Sequence, residues 1–209
     1  SNSGLQHYSA MMRDEVGGSA TNLVPSNKPS DVYNLVAKEV TRKLENKTDD
    51  MAKKWLAYGI DRKICKKPVM CLPYSLTRYS CRQYLEDHVS KEFVERGTKH
   101  SFGEDLFKST AYLTPIVWES INDVVVKARD IMDFLKSIAR LVASENLPVC
   151  WSTPLNFPVQ MMCYKKESKR VKTKMGDSIV KLSVASETNV IDKRKTAQSV
   201  CPNFIHSLD

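Results

Sequence analysis

A chain of 209 residues with 42% hydrophobic content can bury one large core or two small ones, which excludes a chain too polar to fold. A net charge of +8 and a pI near 9.1 favour a polyanionic partner, because a basic surface gathers nucleic acid by counterion release; ribosomal, chromatin and merely basic proteins share that balance. No apolar run approaches the ~20 residues that span a bilayer and no charged-then-apolar leader is present, so a soluble protein with no membrane partner is expected. Cysteines at 65, 71, 81, 150, 163 and 201 show neither a CxxC pair nor a Cys/His spacing that would enclose zinc. They read as reduced thiols with packing roles.

In chain order, SNSGLQHYSAMMRDEVGG predicts a turn and then a helix near 5–16, closed by Gly17 and Gly18, with His7 a structural hydrogen-bonding group. After the VPSNKP loop, SDVYNLVAKEVTRKLEN predicts a packing helix capped by Ser30, with Val32, Leu35, Val36, Val40 and Leu44 on one face. MAKKWLAYG resumes a helical pattern that stops at Gly59. SCRQYLEDHVSKEFVERG places Tyr84, Leu85, His88, Val89 and Phe93 at helical intervals and should end near Gly97. The loop TKHSFGED then leads into a long scaffold region, roughly 106–145, which Pro115 should bend or split.

Beyond it the composition shifts to strand formers. VCWSTP and FPVQMMCY flank the turn-forming LN, and KRVKTK and IVKLSV flank MGDS, whose Gly176 and Asp177 suit a hairpin turn. The second hairpin carries Lys169, Arg170, Lys172 and Lys174 on one arm. Two strands can enter a DNA major groove with such residues on phosphates; an ordinary exposed hairpin is the alternative. DKRKTAQSVCPNFIHSLD closes the chain with a helix or turn bearing His206, whose imidazole can donate or accept near neutral pH. On its residues alone His206 reads as structural.

The most informative stretch lies in the middle, RKICKKPVMCLPY from Arg62 to Tyr74. Arg62, Lys66, Met70 and Tyr74 fall at i, i+4, i+8 and i+12, so in a helix successive members are displaced by about 40° and line one flank. Two cations, a pliable apolar contact and a phenol match a nucleoside triphosphate's polyanionic tail, base and sugar hydroxyl. The other reading is a basic amphipathic helix with a solvated face. Pro68 and Pro73 each cost on the order of 3 kcal/mol in a straight helix interior, so a kink or break is expected.

The run KWLAYGIDRKICKKPVMCLPYSLTRY resembles the fingers motif of phage-type single-subunit RNA polymerases. SNSGLQHYSAMMRDEVGG, WSTPLNFPVQMMCYKK and CPNFIHSLD resemble the same family in the same order. The related DNA polymerases share the Arg, Lys and Tyr but usually carry an aromatic residue where Met70 stands, which tilts the reading towards RNA synthesis. The resemblance implies an α+β, mainly helical fold: the fingers and partial palm of a right-hand polymerase, with β-hairpins in the C-terminal third. The expected division is a palm segment over 1–29, helical fingers over 30–148, a β-hairpin region with a promoter-specificity hairpin over 149–200, and the start of a returning motif over 201–209.

The same resemblance implies templated nucleotidyl transfer from ribonucleoside triphosphates by a two-metal mechanism. The partners would be a DNA template and promoter and an RNA product, and the parent enzyme a monomer. Lys66 would be the catalytic residue, neutralising charge on the departing pyrophosphate. Arg62 would hold the triphosphate, Met70 touch the base, Tyr74 sort ribose from deoxyribose, and His206 help Tyr74 sense the ribose. Tyr79 would meet the template or simply pack. The cofactor would be Mg2+, with its two Asp ligands before Ser1 and beyond Asp209, so no metal ligand is nominated and the chain is expected to be an inactive fragment. Ser75 departs from the glycine usual after the Tyr. The expected setting is the cytoplasm of an infected bacterial host, with a mitochondrion or other organelle as alternative. Two rivals stand beside this reading: a related DNA polymerase fragment, and a non-catalytic nucleic-acid-binding module.

Overall fold

The structure, a computed structural model, describes residues 2–96, 102 and 105–209. The helix end expected at Gly97, and most of the TKHSFGED loop, lie outside the described residues. The chain divides into two compact units, Ser1–Met132 and Asp133–Asp209. Helices form most of it and two antiparallel hairpins stand in the C-terminal third, the α+β, mainly helical class the sequence predicts.

The first unit contains α1 (Ser3–Met11), α2 (Glu15–Ala20), α3 (Val32–Glu45), α4 (Asp50–Tyr58), α5 (Arg62–Cys71), a 3-10 turn (Leu72–Tyr74), α6 (Arg78–Arg96), α7 (Leu106–Val124) and the start of α8 (Val126–Ser144). Short polar side chains start these helices by taking otherwise orphaned backbone N–H groups. Asp49 accepts from Ala52 N at 3.2 Å, Asp61 from Lys63 N and Ile64 N at 2.9 and 3.1 Å, and Thr77 from Ser80 N at 3.1 Å. For α3 the cap is Asp31, not the expected Ser30. Ser30 is held by Asn22, which accepts its N–H at 2.6 Å and donates to its carbonyl at 2.7 Å.

Helix α3 lies at the centre, packed by α4, α5 and α7. Its Val36, Val40 and Leu44 are fully buried, each contributing about 1.5–3 kcal/mol of apolar burial. Trp55 is also 0% exposed, and its indole N–H donates to the Ser109 carbonyl at 3.1 Å, which ties α4 to α7.

Two expectations about helix ends are corrected. Gly17 and Gly18 lie inside α2, and a Cβ at Gly17 would fall on the Asp14 carboxylate and the Ser9 hydroxyl. Glycine is there for close approach, not for capping. Pro115 sits within α7, and the break comes at Val125 instead. Pro115 and Ala111 are both exposed, so the carbonyl that loses its partner can be hydrated while buried Leu113, Ile116 and Val117 hold the helix.

In the second unit β1 (Val149–Ser152) pairs antiparallel with β2 (Pro158–Met161), and β3 (Tyr164–Met175) with β4 (Ser178–Ile191), before α9 (Lys193–His206). Gly176 takes φ +61° at the second hairpin's turn, a conformation that favours glycine. The small core gathers Val149, Met161, Ile191, Val200, Cys201 and Ile205. Trp151 donates its indole N–H to Ser207 Oγ at 2.9 Å, and Asn146 receives the Ile191 N–H at 2.7 Å. Among the described residues no helix is long and apolar enough to cross a membrane.

The six cysteines are free thiols, with Cys65 and Cys81 buried and Cys150 exposed. Burial pushes the Cys65 and Cys81 thiols up to about 12, because a thiolate there would lose its hydration. Thiol labelling at pH 8 should therefore modify Cys150 quickly and Cys65 and Cys81 only on unfolding. Because their folded pKa lies above the unfolded value, this contribution is intact below about pH 9 and is lost as pH rises towards 12. Alkaline titration followed by circular dichroism should show that loss, reduced in Cys65→Ala and Cys81→Ala variants.

Candidate functional site

Helix α5 exists because of its inner face. Ile64, Cys65, Pro68 and Val69 are buried, facing α3 and α6, while Arg62 and Lys66 are exposed and Met70 is half-buried. The expected break does not occur at Pro68; the helix runs on to Cys71, and the change comes at the 3-10 turn Leu72–Tyr74, with Pro73 buried inside it. A 3-10 turn advances about 120° per residue against 100° in an α-helix, so Tyr74 lies about 60° further round than an unbroken helix would place it. Arg62, Lys66 and Met70 thus keep the shared flank, and the half-buried Tyr74 stands beyond its end on a turn that packs against α1.

Arg62 is engaged. Its Nε donates to Asp31 Oδ2 in a short contact, and its guanidinium lies over the Tyr33 ring, 5.1 Å from the centroid. Burial pushes the Tyr33 phenol above its ordinary pKa, opposed by the neighbouring Arg62 charge. Lys66 forms no ion pair among the described residues. Together with Met70 it lines a groove of about 310 Å³ between α5 and α6, which also receives Lys63, Lys67, His88 and Lys91. Among the described residues Lys67 is the one of these lysines with an ion pair, to Asp87 at 3.9 Å, and its ammonium also sits 4.2 Å from the Tyr84 ring centroid. The groove is therefore a cationic depression with an apolar lip, suited to a polyphosphate. Neither Arg62 nor Tyr74 lines it.

Tyr79 is 65% exposed, with Gln83 Nε2 donating to its hydroxyl at 3.2 Å, which counts against the packing reading. His206 is exposed at the end of α9, its Nδ1 4.0 Å from Asp209. It belongs to the second compact unit, whereas Arg62, Lys66, Met70 and Tyr74 belong to the first.

The basic hairpin separates into two faces. Side chains alternate along a strand and paired residues share a face, so Arg170, Lys172 and Lys174 stand together while Lys169 points the other way. Lys172 is paired with Lys181, which joins the cationic face, while Val171 opposite Leu182 and Lys169 opposite Val184 make the other face largely apolar. Lys181 escapes a reading of the sequence because its place depends on the strand register. Among the described residues no three His, Cys, Asp or Glu side chains converge to hold a metal ion.

The residue after Tyr74 carries strain. Ser75 has φ +63° and ψ +44°, the left-handed region where a Cβ costs about 1–2 kcal/mol, and its buried hydroxyl has no partner among the described residues.

A family model described as DNA-dependent RNA polymerase matches residues 1–209. T7 RNA polymerase of Escherichia phage T7 is 32% identical, with 99% of this chain and 28% of that protein aligned. The DNA-directed RNA polymerase of Enterobacteria phage T3 is 31% identical with the same coverage. The mitochondrial DNA-directed RNA polymerase 1 of Arabidopsis thaliana is 34% identical, over 99% of this chain and 21% of its own. The chain thus spans 21–28% of the length of these curated relatives.

Replacing Ser75 with Gly should relieve the strain and remove the unpaired hydroxyl, less about 0.4–1 kcal/mol for the freer unfolded chain. The expected result is a net stabilisation of about 1 kcal/mol in denaturant unfolding, with Ser75→Val destabilised. A Ser75→Gly variant less stable than the parent would show that the serine is not strained.

Proposed function

The chain belongs to the phage-type family of DNA-directed RNA polymerases, and from that premise we propose that it is the fingers-bearing segment of an enzyme transferring nucleotides from ribonucleoside triphosphates to RNA on a DNA template. The observation that carries this reading is the exposed flank of α5, where Arg62, Lys66 and Met70 stand at 40° intervals beside a cationic groove. Arg62 grips the triphosphate. Lys66, exposed and without an ion pair among the described residues, neutralises charge on the departing pyrophosphate and can supply it with a proton. Met70 offers a soft surface to the base, and Tyr74 offers a phenol to the ribose 2′-hydroxyl, with His206 completing that recognition in the assembled enzyme. In this reading residues 1–29 are a palm segment, 30–148 the helical fingers, 149–200 the β-hairpin region and 201–209 the start of a returning motif.

Two Mg2+ ions would supply the reaction's charge stabilisation, and we place their ligands outside these 209 residues, consistent with a chain that spans 21–28% of its relatives. What these residues contribute is positioning, charge and sugar selection. The hairpin presents Arg170, Lys172, Lys174 and Lys181 to promoter phosphates, with Lys169 on the reverse face. The enzyme is read as a monomer. Its setting is read as the cytoplasm of an infected bacterial host, with a mitochondrion or other organelle as the alternative, since its relatives include phage and mitochondrial enzymes.

The test is made on the polymerase expressed from its complete reading frame. Tyr74→Phe should lower discrimination against deoxynucleotides by about tenfold, the worth of one buried hydrogen bond, with transcription retained. Unchanged discrimination would show that the Tyr74 phenol takes no part in sorting ribose from deoxyribose. The 209 residues alone, given Mg2+, template and nucleotides, should make no RNA; robust templated synthesis would place the metal ligands within them. Substituting Ser for both Lys172 and Lys181 should weaken promoter binding and reduce the slope of log K against log salt by about 2, one unit for each lysine–phosphate pair removed. An unchanged slope would take the hairpin off the DNA.

A further inference from the structure

Asp31 divides its two carboxylate oxygens between two tasks. Oδ1 caps α3, accepting the N–H groups of Tyr33 at 3.0 Å and Asn34 at 3.4 Å, while Oδ2 accepts from Arg62 Nε. The contact joins the first turns of two helices that lie 31 residues apart in sequence. The Arg62 Cζ also lies over the Tyr33 ring, 5.1 Å from its centroid, a cation–π contact that restrains the side chain. An arginine bound through Nε keeps its two terminal nitrogens, and among the described residues those of Arg62 have no partner. The side chain is 48% exposed, which leaves the guanidinium open to an anion.

We infer that Asp31, with Tyr33, is a positioning residue that holds the Arg62 guanidinium so that its terminal nitrogens meet the phosphates of the incoming nucleotide. The inference rests on the proposed role of Arg62 as triphosphate grip. An exposed ion pair of this kind adds little to stability, and its benefit lies in orientation: an arginine already held in place loses less rotamer freedom when the triphosphate arrives. Asp31 itself touches no substrate.

The polymerase from the complete reading frame is compared as wild type, Asp31→Asn, Asp31→Ser, Arg62→Ala and Asp31→Asn/Arg62→Ala. Asn and Ser both keep an oxygen for the α3 cap and both lack the carboxylate, so folding is preserved while the tether is cut. Expected are a rise of about three- to tenfold in KM for nucleotides in both Asp31 variants, kcat within twofold, and the same rise in the inhibition constant for inorganic pyrophosphate. In the Arg62→Ala background the Asp31 change should add nothing. If Arg62→Ala raises KM but the Asp31 variants do not, or lower it, the tether is no positioning device and the inference falls alone. Additive effects in the double variant would also overturn it, by showing that Asp31 acts through another group. If Arg62→Ala leaves KM and pyrophosphate inhibition unchanged, the triphosphate role of Arg62 fails first and takes the inference with it.

Discussion

Burial of one face of α5 is the constraint from which the site follows. A ten-residue helix with a proline at its seventh position would not persist alone in water, where isolated helices shorter than about 12–15 residues are marginal. It forms because Ile64, Cys65, Pro68 and Val69 are sealed facing α3 and α6. Sealing that face fixes the rotation of the helix about its axis. The direction in which Arg62, Lys66 and Met70 point is then a consequence of core packing.

The polar groups around this helix contribute little to stability and a good deal to direction. The Asp31–Arg62 pair is half exposed, in the range where ion pairs are worth about 0–1 kcal/mol. Yet one carboxylate starts α3, meets the first residue of α5 and sits beside the aromatic ring that supports the guanidinium. The hairpin follows a similar logic. Placing Lys172 opposite Lys181 opposes strand pairing, a cost of about 0.2–1 kcal/mol that an anionic partner would reverse.

Strain collects where α5 ends. A 3-10 turn, a buried proline and a left-handed serine follow one another from Leu72 to Ser75, and the phenol of Tyr74 is set by all three. Of these, Ser75 alone holds a left-handed backbone, directly after Tyr74 and at the end of the exposed cationic helix.

Much of this was legible in the amino-acid order, because it depends on neighbours in the chain. Helical periodicity marked α3, α4 and α6, Gly176 and Asp177 marked the second hairpin, and a four-residue spacing put Arg62, Lys66 and Met70 on one flank. The remainder needed groups that are distant in the chain to meet. Asn22 claims Ser30 and leaves the α3 cap to Asp31; exposure of Pro115 and Ala111 lets α7 continue to Val124; strand register separates Lys169 from Arg170, Lys172 and Lys174 and adds Lys181. The sequence by itself determined which residues share the charged flank of α5, since composition and spacing are properties of the chain. Only the tertiary structure decided which charges are already paired, how far Tyr74 turns from the flank and what holds Arg62, because each depends on groups brought together by packing from tens of residues away.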